Sequence, residues 1–406
     1  MGQDVIKRVR FRNLRLLEDV TLDLDGLTVL IGENGSGKST IVEGFELLRR
    51  VGEGTFDKDL IAIHGGASAV LRSGTTEMSL RVEVALDAMT ACYELELIER
   101  NYALVIQAER LTLQSPDSSD GPRTLLDRSE REARYFDPEK SDMRSAGVDD
   151  RRAPLLPFIA RGSDPAVDRV VAALKNIDVH LPLEVLSRWA ANASGRKVLA
   201  RNAAQLIPTD RLERFGNNLV NVLNTLRNER PRAHWDETLF MFRLGLRDHV
   251  EDVIVKTVGL GEIAFWLKYR GLDQPVPASQ LSDGTLAFLG LVGMLRIGAA
   301  TRSVLVLDEP ELHLHPQLLA RLTGYLDEYA GRYPIVVATH SSRLLDALQD
   351  PIKTTTLCEL DSTAHRTRLR RFDEAAFARW RESYDGLGSL LAAGYERHVL
   401  APEPHQ

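Results

Sequence analysis

The chain has 406 residues, of which 44% are hydrophobic and 27% are charged, and its net charge is −7. This composition is typical of a soluble globular protein with one large domain or two to three ordinary ones. The acidic balance argues against a protein that coats nucleic acid through bulk charge, and leaves a local basic patch as the way to contact DNA. Cys92 and Cys358 stand far apart, so neither a disulfide framework nor a thiolate metal site is expected.

The first residues lack the charged region and apolar core of a secretory signal. The most apolar later stretch, residues 286–300, contains Arg296 and is too short to span a bilayer. We therefore expect a cytoplasmic protein without membrane contact.

The N-terminal region reads as a series of strands. Residues 5–15 alternate apolar and basic side chains, residues 20–25 alternate again, and residues 27–31 are an apolar run. Arg10 and Arg12 are interpreted first as a solvated strand face, and the alternative is that one of them lies near nucleotide or DNA phosphate.

A glycine-rich loop follows the apolar run. Residues 32–40 match the pattern G-x-x-x-x-G-K-S and precede a helical pattern at residues 41–50. This strand, loop and helix order is what a phosphate-binding loop requires, which disfavours an accidental match. Lys38 should reach the β- and γ-phosphates, and the Ser39 hydroxyl should bind Mg²⁺. The predicted nucleotide-contacting residues are Gly32, Asn34, Gly35, Ser36, Gly37, Lys38, Ser39 and Thr40.

The middle of the chain changes character. Residues 78–86, 93–97 and 104–106 read as strands of an antiparallel sheet attached to the loop's domain. Residues 115–154 are rich in Ser, Asp, Arg, Glu, Pro and Gly, and we predict a mobile or disordered insertion there.

Helical spacing follows this polar segment. Residues 167–177 and 219–226 carry apolar side chains at amphipathic spacing, and the chain returns to strand-like residues at 254–269. We therefore expect a mostly helical insertion that forms a lid or arm.

A second buried strand ends in two carboxylates. Residues 303–310 read Ser-Val-Leu-Val-Leu-Asp-Glu-Pro, the pattern of a central parallel strand whose carboxyl end carries chemistry. Asp308 is suited to hold Mg²⁺, and Glu309 to orient and deprotonate the attacking water. The alternative is a strand followed by an ordinary acidic turn, which the phosphate loop makes less attractive.

Two further segments carry candidate site residues. His340 follows the strand at residues 333–339. A lone histidine there usually has no special role, but its place one strand after the carboxylate pair favours a role facing the γ-phosphate. Ser282 opens a strongly apolar helix, either as an ordinary N-cap or as a group that presents a hydroxyl and backbone amides to a phosphate.

Together these segments resemble the ABC-type ATPases of the RecF/SMC/OLD-like "AAA family ATPase" group. Residues 32–39 match Walker A, residues 281–285 match the LSxG signature as LSDGT, residues 304–309 match Walker B, and His340 matches the switch histidine. The resemblance implies an α/β P-loop NTPase fold, an ABC-type head with a mixed central sheet and an antiparallel subdomain.

The same resemblance implies ATP and Mg²⁺ as cofactors, with Lys38, Glu309 and His340 as catalytic residues and with Ser39 and Asp308 as metal ligands. Ser282 and Gly284 would contact the γ-phosphate held by a second copy, so the functional unit would be a homodimer that acts as a nucleotide-timed clamp or switch.

Residues 311–316 resemble the E-L-H-L-H-P element of OLD-like members. His313 and His315 could suggest a metal site, although no third ligand is evident. The family's lobe-connecting glutamine has two candidates, Gln107 and Gln114, without a clear motif around either. The residues after the His340 helix are too few for the TOPRIM nuclease domain of OLD proteins, so an ATPase head without that domain is expected.

We expect an N-terminal lobe at residues 1–114, the insertion at 115–253, a C-terminal lobe at 254–365 and a helical tail at 366–406. Family analogy suggests DNA maintenance, repair or anti-phage defence, with DNA or a separate effector protein, a nuclease or a toxin, as partner. One alternative is a regulatory scaffold that holds such a partner inactive. A transporter ATPase subunit is another, less favoured because transporter ATPases generally lack so long an insertion before the signature.

Overall fold

The computed structural model describes residues 3–116, 121–160, 164–186, 199–246, 249–380, 384 and 386–402. Within these ranges the strands form sheets of eight, six and four strands. The strands are β1 (Val5–Leu14), β2 (Leu17–Asp23), β3 (Leu27–Ile31), β4 (Glu77–Leu86), β5 (Met89–Arg100), β6 (Ala103–Gln114), β7 (Arg123–Ser129), β8 (Glu132–Asp137), β9 (Asp142–Gly147), β10 (Ile177–His180), β11 (Ala204–Gln205), β12 (Val250–Gly259), β13 (Glu262–Tyr269), β14 (Val276–Pro277), β15 (Val304–Asp308), β16 (Ile335–Thr339), β17 (Thr355–Asp361) and β18 (Arg366–Arg371).

The helices connect these strands and cover the sheets. The α-helices are α1 (Lys38–Glu53), α2 (Phe56–Ala62), α3 (Ala67–Val70), α4 (Leu156–Ile159), α5 (Pro165–Lys175), α6 (Leu219–Asn224), α7 (Arg232–Leu246), α8 (Asp283–Ile297), α9 (Pro316–Ala330), α10 (Ser342–Asp346), α11 (Pro351–Thr354), α12 (Glu374–Ala378) and α13 (Leu387–Ala392). In the part of the chain that the structure describes, no helix is both long enough and apolar enough to cross a membrane.

The six-stranded sheet is the centre of the molecule. Its order is β10-β15-β16-β3-β17-β18, with parallel pairing from β10 to β17 and an antiparallel β17–β18 hairpin at the edge. Strand β3 is buried along its whole length. Because side chains alternate across a strand, Val29 and Ile31 join one hydrophobic core while Leu30 joins the other. The apolar run therefore becomes a strand covered on both faces.

Helix α1 is held between this sheet and the eight-stranded antiparallel sheet. The Phe11 ring on β1 packs edge-on against Phe45 of α1, with ring centroids 5.9 Å apart. A Cβ on Gly44 would lie 2.6 Å from the Phe11 ring, so the glycine permits this close approach. The outer face of β1 is solvated as predicted: Arg10 is paired with Asp19 at 2.6 Å and is thereby neutralised locally.

The prediction of a mobile or disordered segment at residues 115–154 is wrong where the structure describes it. Strands β7, β8 and β9 extend the antiparallel sheet there. Its anchor is a buried ion pair, in which Arg128 donates to Glu109 on β6 at 3.2 Å and both side chains are fully buried. The outer strands are mostly exposed, which explains the polar composition that suggested disorder. Residues 117–120 lie outside the described residues.

The insertion at residues 115–253 is also less helical than expected. Helices α5 and α6 form where the spacing predicts them, and α6 continues into a π-helical turn at Thr225–Glu229. However, β10 within the same stretch is a strand that joins the central sheet beside β15. Helix α7 adds helical content to the stretch at a position that the spacing had not indicated. The predicted helical tail at residues 366–406 begins instead with strand β18, which joins the central sheet, and then forms two short helices, α12 and α13. Residues 381–383, 385 and 403–406 of this tail lie outside the described residues.

Candidate functional site

The glycine-rich loop leads from β3 into α1. Gly35 and Gly37 have φ angles of 81° and 99°, in the left-handed region that favours glycine, and α1 begins at Lys38. The loop therefore turns its backbone into the amino end of a 16-residue helix, where free N–H groups and the helix dipole favour an anion.

Lys38 is buried, with 5% of its surface exposed. Its ammonium donates hydrogen bonds to the carbonyl oxygens of Gly32 at 2.7 Å and Glu33 at 2.9 Å. The carbonyl oxygens of the loop thus hold the Lys38 ammonium beside the loop backbone. A phosphate oxygen there would give this cation an anionic partner in place of neutral dipoles.

The β17–β18 hairpin supports the loop from behind. A Cβ on Gly32 would lie 2.2 Å from the Cys358 carbonyl oxygen, and one on Gly37 would lie 2.1 Å from the Thr367 hydroxyl oxygen. Thr367 also donates to the Ser36 carbonyl oxygen at 2.9 Å. Sequence reasoning missed Cys358 and Thr367 because no local pattern connects them to a loop so distant in the chain.

The carboxyl ends of neighbouring parallel strands bring the other candidate residues to the same edge. The ladder pairs Asp308 on β15 with Ala338 on β16, and Thr339 with Ile31 on β3. Asp308 accepts a hydrogen bond from the Ser39 hydroxyl. Burial and the neighbouring Glu309 raise the pKa of Asp308, while Ser39 and Lys38 oppose that rise.

The contact between Ser39 and Asp308 fits a hard divalent cation. Mg²⁺ prefers oxygen ligands such as a hydroxyl and a carboxylate. A cation would also relieve the unfavourable burial of negative charge that raises the pKa of Asp308. The two predicted metal ligands are thus adjacent and chemically suited to that ion.

Glu309 and His340 contact each other. The His340 Nδ1 atom lies 2.7 Å from the Glu309 carboxylate, and the His340 backbone N–H points at the same group at 3.4 Å. Glu309 has a φ of 48°, and its N–H donates to the Ala338 carbonyl oxygen at 2.8 Å. The backbone turn after β15 therefore places the Glu309 carboxylate beside the end of β16, where His340 lies.

Glu311 is a site residue that sequence reasoning did not single out. Its carboxylate accepts a hydrogen bond from Thr339, and burial together with the contact to Glu309 raises the pKa of Glu311 to about 8. Ligand atoms of Glu309, Glu311 and His340 lie within 4.8 Å of one another. His315, by contrast, caps α9 through the Gln317 N–H, an ordinary structural role for one of the two histidines of the E-L-H-L-H-P element.

The signature segment forms the amino end of α8. Ser282 is exposed, and its hydroxyl oxygen accepts from the Thr285 N–H at 3.1 Å. A Cβ on Gly284 would lie 2.7 Å from the His313 carbonyl oxygen, so the glycine allows the E-L-H-L-H-P element to pack here. Among the hydrogen bonds of the described residues, none joins Ser282 to the loop at residues 32–40.

Gln107 and Gln114, the candidates for the lobe-connecting glutamine, are both exposed on β6. In the described part of the chain neither forms a hydrogen bond with the phosphate loop. A cavity of about 640 Å³ lies beside the loop, between residues 31–36, His340 and the tail, including Arg397.

The sequence is similar to one family model and, over a short stretch, to one curated protein. The family model described as "AAA domain, putative AbiEii toxin, Type IV TA system" matches residues 27–346. An OLD nuclease of Thermus scotoductus is 43% identical over 44 residues, which are 11% of this chain and 8% of the nuclease. The chain therefore aligns with only a small part of that curated relative.

Among solved structures, an SMC head bound to the C-terminal winged-helix domain of ScpA has a TM-score of 0.51 at 10% identity, covering 90% of this chain and 96% of that one. The SMC head domain of Thermotoga maritima has a TM-score of 0.45 at 12% identity, with coverages of 91% and 99%. The first likeness shows a common fold: an α/β P-loop ATPase head of the ABC type. The family model matches most of the chain, so the chain belongs to this AAA domain family.

Proposed function

We propose that the protein binds and hydrolyses ATP in the presence of Mg²⁺ at the edge formed by the ends of β3, β15 and β16. The observation that carries this proposal is the convergence of Lys38, Ser39, Asp308, Glu309 and His340 at that edge. Lys38 supplies a cation, Ser39 and Asp308 supply oxygen ligands for a metal, and Glu309 supplies a base, all at the ends of adjacent strands.

Each group has a separate role in the proposed reaction. The loop's backbone N–H groups and Lys38 would hold the β- and γ-phosphates, and Ser39 and Asp308 would hold Mg²⁺, which would supply positive charge beside those phosphates. Glu309 orients the attacking water and accepts its proton. His340, in contact with the Glu309 carboxylate, keeps that base in position and can donate a hydrogen bond toward the γ-phosphate.

Phosphate release by the purified protein tests this assignment. Glu309→Gln keeps the shape of the side chain but removes the base, so we expect turnover to fall about 10²- to 10⁴-fold while ATP binding is retained. The matched control is Glu328→Gln, an exposed glutamate of α9, which should behave as wild type. Equal turnover in Glu309→Gln and wild type would contradict the assigned base.

We further propose that ATP closes two copies head to head, with Ser282 and Gly284 of one copy on the γ-phosphate held by the other. Support comes from the exposed Ser282 hydroxyl at the amino end of a 15-residue helix, which also offers free N–H groups. Hydrolysis would reopen the interface, which makes the protein a nucleotide-driven switch or clamp in DNA maintenance, repair or anti-phage defence, with DNA or an effector protein as partner.

The alternative is a regulatory ATPase scaffold that holds a nuclease or toxin partner inactive. The family description, which names a toxin and a type IV toxin–antitoxin system, favours this candidate over a transporter subunit. A complex that survives in Glu309→Gln but dissociates from the wild type after ATP turnover would support the scaffold. Co-purification with a membrane protein would instead support the transporter ATPase.

A further inference from the structure

A buried arginine lies directly behind the signature segment. Arg201 belongs to the short 3-10 turn Leu199–Arg201, which precedes β11, and only 5% of its surface is exposed. This turn is far in sequence from α8, and no motif singled it out. Such a buried charge is costly unless each of its N–H groups has a partner.

The contacts of Arg201 converge on both neighbours of Ser282. Its Nη1 donates to the Leu281 carbonyl oxygen at 2.6 Å, and its Nη2 donates to the Asp283 carboxylate. On the other side its Nε donates to the carbonyl oxygens of Val185 and Leu186, at 2.9 and 2.8 Å. The planar guanidinium therefore joins the segment before the turn to the residues that flank Ser282.

These contacts leave Ser282 itself untouched. Its hydroxyl remains exposed and bonded to Thr285, while the backbone on either side is fixed from within the protein. An ammonium cannot reproduce this arrangement, because it lacks the rigid fork of donors that reaches two carbonyls on one side and a carbonyl and a carboxylate on the other.

We propose that Arg201 is a positioning residue for the composite ATP site: it fixes the signature segment so that Ser282 can contact the nucleotide held by a second copy. This inference rests on the proposed ATP-driven dimer. It also identifies a route for regulation, because a partner that displaces the turn Leu199–Arg201 would disengage the signature segment without touching the nucleotide.

The test compares Glu309→Gln with the double variant Glu309→Gln, Arg201→Met by analytical ultracentrifugation in Mg-ATP. We expect the dimer dissociation constant to rise about tenfold or more, the scale of losing a charge-assisted hydrogen-bond set. The affinity of the monomer for a fluorescent ATP analogue should stay within about twofold, because the phosphate loop is unchanged. A general loss of structure would weaken both dimerisation and nucleotide binding, so a change in dimerisation alone separates positioning from stability.

Three further variants complete the test. Arg232→Met removes an exposed arginine of α7, with 80% of its side chain accessible, and should leave dimerisation unchanged. Arg201→Lys and Asp283→Asn keep the side-chain volume near the native one and should weaken the dimer less than Arg201→Met does. These two variants keep the test decisive if Arg201→Met fails to fold. Unchanged dimerisation in all Arg201 and Asp283 variants would overturn the inference, whereas a Glu309→Gln parent that stays monomeric in ATP would overturn the proposed dimer itself.

Discussion

Gly37 shows at the scale of one residue how backbone geometry builds the phosphate loop. Its φ of 99° is strained for any residue with a Cβ, and an added Cβ would meet the Thr367 hydroxyl. We expect Gly37→Ala to lower the free energy of unfolding by about 1–3 kcal/mol and to abolish ATP binding, because either the loop or the β17–β18 hairpin must shift. Chemical denaturation and equilibrium binding measure the two effects.

The matched control for this change is Gly324→Ala. Gly324 lies inside α9 with open space around a built Cβ, so alanine should be neutral or stabilising by about 0.5–1 kcal/mol. Normal ATP affinity in Gly37→Ala would show that the left-handed turn is not needed to hold the phosphates.

At the scale of elements, a buried ion pair ties β10 to the start of β15. Arg302 donates to Asp178 at 2.8 Å and to the Tyr333 hydroxyl at 2.8 Å, and its side chain is 1% exposed. Asp178→Asn would leave this guanidinium buried without its counter-charge. We expect a loss of about 3–5 kcal/mol in the free energy of unfolding at neutral pH, measured by urea denaturation.

The same pair predicts a pH dependence. Burial would raise the pKa of Asp178, but His180 and Arg302 together hold it well below the ordinary range. Its stabilising contribution is therefore complete above the pKa of an unfolded aspartate, about 4, and is lost as the pH falls below that value. The difference in the free energy of unfolding between wild type and Asp178→Asn should therefore become smaller at acidic pH. The control Asp236→Asn changes an exposed residue, and its free energy of unfolding should stay within about 0.5 kcal/mol of wild type at every pH. A gap that widens below pH 4 would contradict the assigned ion pair.

The elements that sequence could predict are those with a local signature. The apolar runs at β3, β15 and β16 and the helix after the glycine-rich loop carry their own patterns, and parallel strand ends then bring Lys38, Asp308 and His340 to one edge. Strands β7 to β9 could not be predicted because the segment is held in the sheet by the ion pair between Glu109 and Arg128, and these residues meet only in the folded sheet. The roles of Thr367 and Arg201 could not be predicted for the same reason, because their hydrogen-bond partners lie far away in the sequence.

For the whole molecule, the sharpest expectation concerns mass. If two copies close on ATP, light scattering of Glu309→Gln should show a doubling of the 45.3 kDa chain mass in Mg-ATP, because the trapped nucleotide bridges the phosphate loop of one copy and Ser282 of the other. Adding Lys38→Ala to the same protein removes the phosphate contact and should keep it monomeric.

Duplex DNA in the same experiment separates the proposed outcomes. DNA that binds only in the ATP-closed state would favour a clamp, since closure of the two chains would then create the DNA-binding surface. Dimerisation without DNA binding would favour a switch that acts on an effector protein. A mass unchanged by ATP would contradict the role of Ser282 in the ATP site of a second copy. The regulatory scaffold would then be the better explanation, because it needs a protein partner and not a second copy.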